Sequence, residues 1–132
     1  MTLYRSALMA QGKPFPQELP IRRELFVAHD RDLALRTCMP YLERKYRAYV
    51  AWGQSAVLPQ DDSLDLPFDE LRDQRFIIGD PDDCVEQLLR YHERLGANHF
   101  LLRVQWAGMP QDQVLEAIEL FGERVIPHLR DV

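Results

Sequence analysis

The sequence predicts an α/β fold built on a parallel sheet. Amphipathic stretches at helical spacing alternate with short apolar runs rich in strand formers, and two of those runs are followed at once by a helix-starting aspartate, Asp30 or Asp80. Size is the further observation: 132 residues, 46% hydrophobic and 28% charged, suit one domain with a single core. The order helix, strand, helix, strand, helix, strand, helix implies right-handed parallel crossovers. A complete doubly wound domain of this length has about five strands and a closed α/β barrel about eight, so three make the chain read as a portion of something larger.

Taken in order, residues 2–11 place Leu3, Ala7 and Ala10 on one helical side, and Gly12, Pro14 and Pro16 stop them. Ile21 to Ala28 reads as a strand, with Asp30 as the N-cap of the helix after it. From Arg31 to Trp52 an amphipathic helix turns Leu35, Cys38, Met39, Leu42, Tyr46, Tyr49 and Val50 inward, and Pro40 is expected to bend or split it. Gly53 to Gln74 has no clear period. It holds two prolines and gathers Asp61, Asp62, Asp65, Asp69, Glu70 and Asp73, which suggests a lid or a mobile insertion.

Phe76, Ile77 and Ile78 form a short buried strand. Asp80, Pro81, Asp82 and Asp83 then start a helix strongly, since they satisfy free amides, preset φ and complement the positive helix end. Val85, Leu88, Leu89, His92 and Leu95 give it an inner face and Gly96 ends it. Phe100 to Val104, interrupted by Arg103, is expected as a strand covered on both faces. A last helix from Gln111 to near Pro127 turns Val114, Ala117, Ile118, Phe121 and Val125 inward.

Charge and composition exclude several functions. Lys plus Arg is 16 against 21 for Asp plus Glu, a net charge of -5 that repels nucleic acid on average. No apolar run approaches the roughly 18 to 20 residues of a membrane span, and the first residues lack the apolar core of a signal peptide, so a cytoplasmic protein is expected. Cys38 and Cys84 lie in helical, apolar surroundings and are expected as buried free thiols. Neither paired cysteine or histidine motifs nor a glycine-rich phosphate loop is present, and the aspartates at 80, 82 and 83 are explained by capping, so no metal site is expected.

The stretch from Arg75 to Arg130 resembles the C-terminal end of the bacterial luciferase-like monooxygenases, most specifically in FIIGDPDD and LLRVQWAGMP in that order and separation. PIRRELFVA, MPYLERKYRAYVAWG and the acidic LPQDDSLDLPF loop resemble the segment before it, so the likeness covers nearly the whole chain. It implies a partial (β/α)8 TIM barrel, with residues 1–132 as a single C-terminal segment contributing the last three βα units and 53–74 as a lid or insertion loop. The implied cofactor is reduced FMN or the deazaflavin coenzyme, used with O2 to oxygenate a small organic substrate. Since the first strands of such a barrel are absent, much of the flavin pocket would come from elsewhere.

Barrel enzymes work at the C-terminal ends of their strands, which directs attention to Ala28 to Asp30, Gly79 to Asp80 and Arg103 to Met109. Arg103 interrupts an apolar strand and needs an anion: a flavin phosphate, a substrate acid group, or a carboxylate of a neighbouring strand. Gln105 is placed to hydrogen-bond a flavin ring edge, and Trp106 either stacks on the flavin, walls the substrate pocket or packs the last helix. Gly108, with Met109 and Pro110, forms either a phosphate cradle or a plain turn. His29 is an acid, a base or a flavin contact at the pocket mouth, or an exposed loop residue, and His29 and Met109 are the expected substrate-pocket residues.

The sequence therefore points to a luciferase-like flavin-dependent monooxygenase present as a C-terminal fragment. Its open sheet edges favour a homo-oligomer or a partner chain that supplies the missing strands. The rival reading is a non-catalytic remnant or interaction module that no longer binds flavin. A receiver-like signalling domain would want an acidic pair after its first strand and a lysine after its last, and neither fits.

Overall fold

The computed structural model describes residues 1–59, 62–72 and 75–130; Asp61, Asp73 and Gln74 of the acidic segment lie outside them. The elements in chain order are α1 (Thr2–Ala10), β1 (Pro20–Val27), α2 (Arg31–Ala51), α3 (Phe68–Arg72), β2 (Phe76–Gly79), α4 (Pro81–Leu95), β3 (His99–Arg103) and α5 (Gln111–Arg124). Short 3-10 turns occupy Gln54–Val57 and Ile126–Leu129. The strands form one parallel sheet ordered β2-β1-β3, with Glu24 opposite Phe76 on one side and Arg103 on the other.

The strand order decides where the helices go. The chain steps outward from β1 to β2 and then back across β1 to β3, and right-handed crossovers in opposite directions put α2 and α4 on opposite faces. On the Glu24 and Phe26 face, Lys45 of α2 pairs with Glu24 and the Tyr46 ring lies 5.2 Å from that of Phe76. On the other face the Arg23 guanidinium sits 4.6 Å over the ring of Tyr91 in α4. Consecutive strands of a barrel arc are neighbours with all their helices outside. Here β1 is central and both faces are covered, so the described sheet is not by itself such an arc.

Leu25, Val27, Ile77, Leu42, Cys38, Cys84, Leu88 and Val125 form the centre of the core. Burial pushes both thiols up to about 12, and both cysteines are free as the sequence implied. Pro40 does not split α2, which runs unbroken over 21 residues. Pro40 is exposed, so the bond it removes is one whose carbonyl can turn to water. The expected inner stripe of α2 is largely observed, with Cys38 and Leu42 buried and Leu35 and Tyr46 packed on the core; Ala34 joins it, and Met39 is exposed instead.

Similar corrections apply at the sheet edge. β3 alternates between exposed and half-buried residues and Leu101 is 49% exposed, so it is not covered on both faces. As an edge strand, it turns only Phe100 and Leu102 toward the core. In α5, Leu120 takes the buried place expected of Ile118. α1 buries none of its residues; Leu3 and Met9 are exposed and the helix is tied down through Tyr4 and Arg5 against Phe15. The segment after α2 is partly packed: Leu64 and Leu71 are buried, the Phe68 ring lies 5.9 Å from that of Phe76, and Arg75 pairs with Asp62.

The start of α4 is fixed as its sequence requires. Asp83 N donates to Asp80 Oδ1 at 2.9 Å, and Asp80 N donates to Asp83 Oδ2 at 3.2 Å, closing a reciprocal capping box. Arg31 at the start of α2 grips the Asp83 carboxylate through Nε, 2.8 Å from Oδ2, and through Nη2. Gly79 lies directly beneath; a Cβ there would stand 2.5 Å from Cβ of Asp83, so a side chain at 79 would force the cap apart. The Arg31 hydrogen bond holds the Asp83 carboxyl below its ordinary value.

Asp83→Asn should lower stability by about 1 kcal/mol or more at neutral pH through loss of the charged pairing with Arg31, read by chemical denaturation. Because the folded carboxyl is depressed, the difference from the parent should persist above the ordinary carboxylate range and shrink as the pH falls below about 4. Neither Cys38 nor Cys84 should react with a disulfide reagent at mildly alkaline pH until the chain is unfolded.

Candidate functional site

The C-terminal ends of β1 and β2 meet directly: Val27 is opposite Gly79, and Ala28 N donates to Gly79 O at 3.1 Å. β3 stops lower, with Arg103 opposite Glu24, so residues 104–110 continue past the sheet and fold back over β1. That return divides the six residues expected at the site into two groups. Arg103, Gln105, Gly108 and His29 are exposed, whereas Trp106 and Met109 are buried, at 4% and 6%.

Among the exposed group, Arg103 has no hydrogen-bond or ion-pair partner among the described residues and stands free at the strand end. Gln105 Nε2 donates to Gln111 Oε1 at 3.3 Å. Gly108 takes a left-handed φ of 83°, which favours glycine, and Nη1 of Arg44 lies 3.2 Å from where its Cβ would be. Met109 N donates to Trp106 O at 3.1 Å and closes the turn. His29 sits 3.9 Å from Glu116 of α5, with a side chain 70% exposed.

Trp106 is packed as core. Its ring centroid lies 6.2 Å from that of Phe26, and Nε1 donates to Glu24 Oε2 at 2.6 Å. Glu24 is the charged residue buried in the core among the described residues, and its other oxygen, Oε1, accepts from Lys45 Nζ. A buried carboxylate is costly unless both oxygens find donors, and here an ammonium and an indole N–H supply them. Lys45 also lies 5.4 Å and 5.3 Å from the rings of Tyr46 and Tyr49, which shield the pair from water. Burial likewise pushes the Tyr46 phenol up to about 12.

Sequence reasoning missed Glu24, Lys45 and Arg44. A signal was present for the first: in PIRRELFV a carboxylate shares the inward parity of Phe26, and a charge at an inward position demands a partner. Nothing in the sequence indicated that the partners would come from α2 and from beyond β3. Buried and with a donor on each oxygen, Glu24 is held as an anchor between α2 and the segment after β3.

The exposed residues fit one edge of a flavin site in part. Arg103 and Arg44 offer cationic donors and the 106–109 turn is exposed at Gly108, whereas Trp106 is not free to stack, because its ring is buried and its N–H is in use. No metal-ligating group of three or more His, Cys, Asp or Glu is found among the described residues. Among the same residues, no helix is long and apolar enough to cross a membrane.

No protein-family model matches the sequence, and no curated protein sequence does. Solved structures do share its fold. The monooxygenase RslO1 from Streptomyces bottropensis superposes with a TM-score of 0.73 at 23% identity, over 97% of this chain and 36% of its own. The oxygenating constituent of 3,6-diketocamphane monooxygenase from the CAM plasmid of Pseudomonas putida is a type II Baeyer-Villiger monooxygenase in complex with FMN. It superposes with a TM-score of 0.67 at 20% identity, over 96% of this chain and 38% of its own. The chain thus spans little more than a third of the length of the structures it matches.

Replacing Lys45 by Met should strand the Glu24 charge in the core and destabilise the fold by about 3–5 kcal/mol, whereas Lys45→Met combined with Glu24→Gln should recover much of that loss. Thermal unfolding of the two variants measures the difference.

Proposed function

We propose that this chain is the terminal part of a flavin-dependent, luciferase-like monooxygenase, and that it contributes one wall of a flavin site completed by strands from outside its own three-stranded sheet, which is not itself an arc of a barrel. The observation that carries this reading is the fold likeness to two monooxygenases over nearly all of this chain, together with an exposed, arginine-flanked turn at the C-terminal end of β3. β1 and β3, which are hydrogen-bonded neighbours, take the part of adjacent strands in the larger sheet.

Bound there, reduced FMN would supply the reduction of O2 that oxygenates a small organic substrate. The chain's own share is positional. Arg103 and Arg44 would hold an anionic part of the cofactor, Gln105 would hydrogen-bond the ring edge, the turn at Gly108 would let the backbone approach closely, and His29 would stand at the mouth. Trp106 and Met109 support this wall from behind rather than touching the ligand. FMN is preferred to the deazaflavin coenzyme because the Pseudomonas putida neighbour is in complex with FMN.

Exposed Leu3, Met9, Leu101, Leu115 and Ile118, with the free edge of β3, are the surfaces on which the remaining strands, or a second chain carrying them, would pack. Among the described residues of 53–74, a lid is fitted in this reading only by the more exposed Gly53 to Val57, since Leu64 and Leu71 are buried and Phe68 packs on the core. The second reading, a non-catalytic interaction module, is favoured by one observation: the aromatic expected to meet the flavin is already committed to Glu24.

Titration of the chain with FMN, followed by flavin fluorescence, separates the two. Saturable binding in the micromolar range, weakened about tenfold or more by Arg103→Ala, supports the flavin wall. No binding even at millimolar FMN supports the interaction module.

A further inference from the structure

We infer that Glu24 is the positioning residue of the turn after β3: by holding the Trp106 indole it sets where Arg103, Gln105 and Gly108 are presented, and by pairing with Lys45 it keys that turn to α2. The use of the turn for flavin rests on the function proposed above; the positioning itself does not.

β3 ends opposite Glu24 and pairs no further with β1, so residues 104–110 have no ladder to hold them. Two tethers replace it. Inside the turn, Met109 N donates to Trp106 O and closes the four residues from Trp106 to Met109 into one hydrogen-bonded turn. Between the turn and the sheet, Trp106 Nε1 donates to Glu24 Oε2 at 2.6 Å, a charge-assisted bond in a site from which water is excluded. Glu24 lies on the central strand and is paired on both sides, with Phe76 and with Arg103, so the turn is referred to the middle of the sheet.

α2 adds a second contact through successive residues. Lys45 donates to the other oxygen of Glu24, and the Arg44 guanidinium lies against the Gly108 end of the same turn. A phenylalanine at 106 would fill similar apolar space without the donor, and a glutamine at 24 would keep an acceptor without the charge. Positioning therefore predicts a different ranking of variants from simple core filling.

The test uses the full chain carrying Trp52→Phe, which leaves Trp106 as the one indole. Expected are a Trp106 indole N–H resonance that shifts markedly on Glu24→Ala, and exchange of the Met109 amide faster by about tenfold or more, while Leu25 and Ile77 amides stay protected. Glu24→Gln should keep both properties close to the parent. Should Glu24→Ala fail to fold, Trp106→Phe must still accelerate exchange at Met109 without exposing α2. The inference is overturned if the indole resonance is unmoved, if Met109 changes only as much as the core, or if Gln behaves as Ala. In chains that bind FMN, Glu24→Ala should weaken binding in parallel; absence of FMN binding by the parent overturns the flavin reading alone, because the indole and exchange readouts do not use flavin.

Discussion

A single carboxylate in the core constrains the arrangement of this protein. Glu24 sits on the central strand with both oxygens turned inward, and burial of that charge is tolerable only while Lys45 and Trp106 reach it from opposite sides. The first comes from the helix that begins at Arg31, soon after β1 ends, and the second from beyond the last strand. Three distant pieces of chain are thereby brought to one point, and an apolar core, which is indifferent to small slips, would not do this with the same specificity.

The sheet's order gives this constraint its setting. With β1 in the middle, its inner positions face helices on both sides, and Leu25 and Val27 can be as buried as Phe26. A doubly covered central strand is a firm reference for whatever extends past it, and the turn at 106–109 is what extends past it. The edges are a different matter. β3 exposes Leu101, α1 buries none of its residues, and α5 shows Leu115 and Ile118 to solvent. Apolar residues therefore reach the surface at the edge of the sheet and on the two terminal helices.

Local signals read well where chemistry is local. Asp80, Pro81 and Asp83 announced the start of α4, and the structure shows the reciprocal cap with Gly79 tucked below it. The short apolar run at Phe76 to Ile78 is buried at every position. Helix faces were harder. Ile118 and Leu120 have similar hydrophobicity, and only the position of the sheet decides that Leu120 is inside and Ile118 outside. Pro40 does not split its helix because it lies on the side that faces water.

Among the candidate site residues the division is the same. The sequence by itself determined the three strands, with an arginine at the end of the last and a glycine turn after it, because strand, turn and cap preferences act over a few neighbouring residues. Only the tertiary structure decided that Trp106 and Met109 are buried, that Arg103 stands free, and that Glu24, Lys45 and Arg44 belong with them. Those relations join residues up to 82 positions apart, and what selects them is the need of a buried charge for donors, a need satisfied by the topology of the sheet rather than by any local pattern.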